Sequence, residues 1–398
     1  MRDSVGSMKL RARIRGRLSW LSVIVLTASM GASVCQAREW TVNKDGSGDF
    51  TRIVDAMDAI DHGDSVLIYP GRFAGGTIID LPGQSGKASA FVQKNNITIR
   101  GTDRETVIIG PTEQNFAGFW PKGIVTKPGT TGLVLENLTI ENLRDGCYLV
   151  GTAAVWNVLF QGNEYGIVAF TAGGLSVAET TFRSNLEGID LFSPSQSALV
   201  SDCNFLGNTV GLRSSGVTAT VQQNSFVGGG VGLTAEFQAQ VEIDDSHFSD
   251  QFTFGVSANL GSHVNVHRST IVGGQSNLKV DAASTLSGER TALLASTYAS
   301  IFSTGAATSN IMLHGCDIMP ASGYAVLIAD VTNPEITYDF RDNYWGTESA
   351  SVIDSLIIDA SDFPSRGITI LYQPFSLYSV DTKRKSISSL KALFGGEK

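Results

Sequence analysis

The sequence predicts an all-β chain wound as a parallel β-helix (a solenoid) of about ten or more coils, with a short N-terminal capping helix. Three observations carry this. Val155, Val177, Val200, Val221, Ile243 and Val266 recur at gaps of 22, 23, 21, 22 and 23 residues. Five residues after each stands a large apolar residue: Phe160, Phe182, Phe205, Phe226, Phe248 and Ile271. Gly166, Gly188, Gly211, Gly232 and Gly255 then follow the five phenylalanines after six or seven residues. A repeat near 22 residues holds several short strands and turns but no helix between them, so each repeat reads as one coil. The runs within a repeat alternate in polarity, as in Val241-Glu242-Ile243-Asp244 and Val264-Asn265-Val266-His267. That alternation is the period of a half-buried strand.

The N-terminus reads differently. Arg2, Lys9, Arg11, Arg13, Arg15 and Arg17 make a basic start, residues 18–32 are largely apolar, and Cys35-Gln36-Ala37 offers small residues for cleavage. Residues 1–37 therefore match the three parts of a secretory signal peptide. The apolar run is shorter than the ~20 residues of a spanning helix, which makes an uncleaved anchor the weaker alternative. Without residues 1–37 the chain loses six basic groups and Asp3, leaving 23 basic against 37 acidic residues, a net −14. The expectation is a secreted, periplasmic or cell-surface monomer with no stable membrane insertion after signal cleavage. Its acidity argues against nucleic acid as a partner. A hydrophobic content of 42% is enough for a sizeable core and argues against disorder.

Residues 38–80 read as the N-terminal cap and first strands, because a solenoid's open end has to be covered. Asp49 or Thr51 can cap a helix running to Ile60, with Ile53, Met57 and Ile60 on one face and Gly63 after its end. Residues 81–378 form the β-helix, and residues 379–398 a C-terminal cap helix or tail, with Ile387, Leu390 and Phe394 at helical spacing. The phase extends back to Leu135 and Ile140 and forward to Leu313 and Ile318. It blurs between residues 280 and 305.

Equivalent residues of successive coils stack about 4.8 Å apart. The phenylalanines then form an aromatic interior, and Asn163, Asn185 and Asn208 a hydrogen-bonded ladder in a turn. Cys203 and Cys316 share a column roughly five coils apart, about 24 Å, which is beyond disulfide reach. Cys147 belongs to another column. Three buried, inert thiols are expected.

Two segments resemble known families. Asp45-Gly46-Ser47-Gly48-Asp49-Phe50-Thr51, followed by Gly63-Asp64 and Pro70-Gly71-Arg72-Phe73, resembles the opening of pectin methylesterases. Those enzymes are right-handed parallel β-helices of the pectin-lyase-like superfamily. Asp342-Asn343-Tyr344-Trp345-Gly346-Thr347, then Ile358-Asp359 and Gln373-Pro374-Phe375, resembles the last coil of secreted β-helix proteins grouped as carbohydrate-binding and sugar-hydrolysing. The resemblance implies a right-handed coil, as does the crossover rule. It does not carry the esterase chemistry. The Asp-Phe-Ile-Phe-Gly and Gly-Tyr-Gln-Asp-Thr motifs are absent, and Tyr338-Asp339-Phe340 is followed by Arg341.

Candidate chemistry lies on the outward face of one sheet. If Ile189, Leu212 and Leu233 point inward, one outward column reads Val168, Asp190, Arg213, Thr234, Ser257 and Lys279. The next reads Phe170, Phe192, Ser215, Glu236, Asn259 and Asp281. Asp190, Arg213 and Glu236 thus meet on three adjacent coils as candidate catalytic residues. Phe170, Phe192 and Lys279 are candidate substrate-binding residues. Aromatic rings suit sugars, Arg213 suits a uronate carboxylate, and a carboxylate can act as base or acid. The competing reading is a surface salt bridge worth at most ~1 kcal/mol.

Glu179 and Asp202, in a further acidic column with Asp245 that Gln223 interrupts, could hold Ca2+ through oxygen ligands, although solvated turn acids explain them as well. No other metal site is expected, since His263 and His267 lie roughly 13 Å apart on one strand face. Trp345 and Tyr344 read as cap packing. The expected partner is a polysaccharide. The protein then acts on it as a lyase or hydrolase, or else is a non-catalytic binding, adhesion or structural envelope solenoid.

Overall fold

Short alternating runs separated by residues that tolerate left-handed backbone fold into three long sheets, parallel except for one antiparallel strand pair at the N-terminal end of the third. The computed structural model describes residues 37–380, apart from 81–84, 115–120, 171–172, 194–196, 282, 305–308, 330–335, 360 and 364–366. Most of the signal-peptide pattern and the expected C-terminal cap helix lie outside the described residues. Among the described residues the three sheets have 12, 11 and 13 strands, and the strands pair in parallel with their equivalents in the next coil, apart from Thr77–Ile79, which pairs antiparallel with Gly86–Val92. A separate pair, Ile336–Asp339 with Ile368–Leu371, closes the C-terminal end. The solenoid expectation holds.

The interior follows from the repeat. Phe160, Phe182, Phe205, Phe226 and Phe248 stack with successive centroid separations of 5.1, 4.8, 4.3 and 4.5 Å. Beside them Asn163 donates to Asn185 at 3.1 Å, and Asn185 to Asn208 at 3.0 Å. Each Asn also bonds backbone, as Asn185 Nδ2 does to Phe160 O, so a buried turn keeps its polar groups satisfied. Among the described residues Cys147, Cys203 and Cys316 are buried free thiols.

The coil glycine is required by close approach. A Cβ on Gly188 would lie 2.5 Å from Gly211 O and 3.0 Å from a ring carbon of Phe205. Gly188 and Ile189 both pack on the interior, Gly188 against the Phe205 ring, while Glu187 and Asp190, the residues flanking them, both reach the partly exposed Arg213. This departure from strict alternation shapes the site.

At the N-terminal end α1, Ile53–Ala59, buries Ile53 and Met57 over the first coil. Its N-cap is Arg52, with no side-chain cap, rather than Asp49 or Thr51 as expected. The Asp49 carboxylate is already used, accepting from Thr41 N at 2.9 Å and Thr41 Oγ1 at 2.8 Å. The coil that blurs in the sequence is regular in the structure. Gly288 replaces the β-branched residue between Val266 and Leu313, and Leu293 replaces the aromatic. Beyond the last coil, α2 (Ala350–Ser355) and the Trp345–Tyr372 edge contact complete the cap.

Candidate functional site

Three columns of side chains stand on the outward face of the third, 13-stranded sheet. The one preceding the coil glycine runs Lys122, Asp145, Tyr165 and Glu187. The middle one runs Val168, Asp190, Arg213, Thr234, Ser257 and Lys279. In the third, Phe192, Ser215 and Glu236 follow each other. The register therefore brings Asp190, Arg213 and Glu236 together, as the sequence pattern implies, and adds Glu187.

Arg213 is the centre of the group. It donates to Glu187 through Nε at 3.0 Å and Nη2 at 2.8 Å, and to Glu236 through Nη1 at 3.3 Å. Its Nε lies 4.0 Å from Asp190 Oδ1. The paired carboxylates, Glu187 first, hold the guanidinium firmly in its charged form. Asp190 is 3% exposed, and its Oδ1 makes no hydrogen bond. Burial first, and then the neighbouring Glu187 carboxylate, push its pKa up to about 8, against the pull of Arg213. Burial and the neighbouring carboxylate thus favour the protonated form of Asp190. Three carboxyl groups around one guanidinium give the cluster an acidic balance. That balance disfavours the uronate partner expected for Arg213, whose fork is already occupied.

The other predicted residues are placed as follows. Phe170 and Phe192 are neighbours of the cluster, but they stack on each other at 4.9 Å, and Tyr148 stacks on Phe170 at 5.3 Å. Both ring faces of Phe170 and one of Phe192, expected to meet sugar, are engaged within this ladder. Lys279 lies three coils from Arg213, about 14 Å along the stack, and pairs with Asp281 at 2.7 Å. Lys122 and Asp145 form a buried ion pair at the other end of the face, with the ammonium 4.6 Å from the centre of the Tyr148 ring. Glu179, Asp202, Gln223 and Asp245 sit at left-handed turn positions with φ between 46° and 56°. That backbone, more than any ion, accounts for short polar residues there. Trp345 is buried in the cap.

Glu187 escapes a strict alternation because the paired inward residues Gly188 and Ile189 shift the outward phase. The signal that would have found it is the column of Lys122, Asp145, Tyr165 and Glu187, each immediately before a coil glycine. Two hollows, of about 290 and 330 Å³, lie at the ends of the stack beside Phe73 and Trp345, and neither is lined by the cluster. Arg213 and Glu236 form the partly exposed edge of the cluster, over a buried Asp190 and Glu187.

Residues 94–299 match the family described as periplasmic copper-binding protein, NosD. No curated protein sequence matches the chain. Among solved structures, the A-module of mannuronan C-5 epimerase AlgE4 from Azotobacter vinelandii is similar with a TM-score of 0.54 at 13% identity, covering 82% of this chain and 92% of that one. The periplasmic alginate epimerase AlgG gives 0.47 at 8%, covering 80% and 78%. The catalytic domain of a GH87 alpha-1,3-glucanase gives 0.47 at 11%, covering 87% and 70%. At such identities the likeness is one of fold.

Copper sites draw on clustered imidazole, thiolate and thioether ligands, but among the described residues no three His, Cys, Asp or Glu side chains converge to hold an ion. Burial pushes the thiols of Cys203 and Cys316 up to about 12, and that of Cys147 higher still.

Proposed function

The chain belongs to the NosD family of right-handed β-helix proteins, and from that architecture we propose that it is an exported hydrolase of a neutral polysaccharide, working on the outward face of its third sheet. One observation carries this reading. Asp190, buried and with its pKa raised, and the more exposed Glu236 are held on either side of Arg213, on three successive coils. Paired carboxyl groups in unlike environments are what glycoside hydrolysis needs.

In the proposed step Asp190 gives its proton to the glycosidic oxygen as the bond to the anomeric carbon breaks. Glu236, the more exposed carboxylate, takes a proton from the attacking water, whose oxygen bonds the anomeric carbon. One water is consumed and two chain ends result. Glu187 keeps Asp190 protonated by its charge and keeps Arg213 in place. The acidic balance of the cluster favours neutral sugars over uronates. The family's periplasmic description and the N-terminal signal pattern support export.

A second reading, a binding solenoid without turnover, is favoured by the 3% exposure of Asp190. Incubation with neutral and uronate polysaccharides separates the two. New reducing ends from a neutral polymer, without the ultraviolet absorbance of unsaturated uronates, support the hydrolase. Retention of the polymer without reducing ends supports the binder, and absorbance at unsaturated ends would replace both with a lyase.

A further inference from the structure

We propose that Phe237 is a stacking platform for one neutral pyranose ring at the rim of the carboxylate cluster, an inference that rests on the polysaccharide reading above. Phe237 directly follows Glu236 and is 60% exposed. It opens a tight turn closed by the Ala239 N–H donating to Glu236 O at 3.2 Å. Both central residues are left-handed, Phe237 at φ +54° and Gln238 at +65°. Such a turn is normally filled by Asn and Gly. A bulky residue at positive φ is a genuine outlier.

The left-handed turn recurs along the coil stack, but the aromatic ring does not. The preceding coil has Gly216 at the equivalent position, φ +69°, and the following coil has Leu260, likewise left-handed at φ +54° and 46% exposed, followed by Gly261. An exposed ring adds no core burial in return for the strained backbone. Strained, exposed groups cluster at functional sites, and this one adjoins Glu236.

The surroundings specify the ligand. Among the described residues Phe237 has no stacked ring partner, unlike Phe170, stacked on both sides, and Phe192, stacked on Phe170. Gly216 sets no side chain above it, where a Cβ would come within 3.3 Å of Phe237 O. An exposed apolar ring directly following a carboxylate residue suits a pyranose, whose C–H face would pack on the ring while a hydroxyl donates to Glu236. An anionic sugar would meet the Glu236 charge.

The test is native-gel retardation of the full chain in gels containing galactomannan, xylan or a soluble β-glucan. Phe237→Asn is the variant, because Asn tolerates left-handed backbone. Phe252→Asn is the control, an aromatic that is 73% exposed on a turn remote from Glu236. Wild type and Phe252→Asn should be retarded alike by at least one polymer, and Phe237→Asn should bind on the order of tenfold more weakly. Its melting temperature should be no lower than that of wild type, since the strain is relieved. Equal retardation of Phe237→Asn and wild type overturns the platform and leaves the hydrolase reading standing. Equal weakening by both variants also overturns it. Absence of retardation for wild type removes both.

Discussion

Glu187 grips Arg213 by two parallel hydrogen bonds, Nε to Oε2 at 3.0 Å and Nη2 to Oε1 at 2.8 Å, across adjacent coils. The pair fixes the centre of the cluster. It also makes Arg213 a structural element, so Arg213→Ala is expected to harm the fold as well as any activity. Removing the guanidinium leaves three carboxyl groups facing each other, at a cost of about 3–5 kcal/mol. Urea unfolding should show the loss in the midpoint with little change in slope. A variant as stable as wild type would mean the fork contributes nothing.

Asp190 should impose a pH dependence on stability. Its folded pKa, about 8, lies above the ordinary carboxyl value. The folded state therefore holds a proton that the unfolded state has released. The stabilisation is complete below about pH 4 and is lost as pH rises through about 8. A tenfold difference in proton affinity between the two states is worth about 1.4 kcal/mol, so the loss across this window should amount to several kcal/mol. Asp190→Asn should flatten the curve over the same range. Parallel stability curves for the two proteins would refute the assignment.

Lys122 and Asp145 offer a cleaner ion-pair experiment, with side chains only 2% and 5% exposed. Lys122→Met strands the Asp145 charge and should cost about 3–5 kcal/mol. Adding Asp145→Leu should recover most of that loss, because the remaining penalty is the unpaired charge. A double variant less stable than the single one would show that the pair itself favours folding.

Phe205 sits mid-column, with rings at 4.8 and 4.3 Å on its two sides. Phe205→Ala should cost about 3–5 kcal/mol, since the Gly188 and Gly211 backbones packed beside these rings cannot easily collapse into the space. Denaturant unfolding measures it, and a loss under about 1 kcal/mol would mean the column relaxes freely.

The architecture was legible because stacking repeats a demand. Each coil asks for the same interior residue, so Phe160 to Phe248 and Asn163 to Asn208 appear in the sequence at the coil period. The demand weakens where a column accepts a substitute, which hid the coil containing Gly288 and Leu293. Asp190, Arg213 and Glu236 could be placed because they lie after the coil glycine, where alternation is regular. Glu187 could not, because Gly188 and Ile189 are inward neighbours. Phe237 was hidden for another reason: nothing in a Phe-Gln pair announces two left-handed residues. The cap helix start at Arg52 depended on Asp49 being occupied by Thr41, a contact between segments that local capping rules do not see.

The most direct test of the central claim is the pH dependence of reducing-end release from a neutral polysaccharide by wild type and Asp190→Asn. Release by wild type should fall on the alkaline side with an apparent pKa near 8, as Asp190 loses its proton, and the variant should release little at any pH. Undiminished release by Asp190→Asn, or a wild-type profile flat through that range, would contradict Asp190 as the acid.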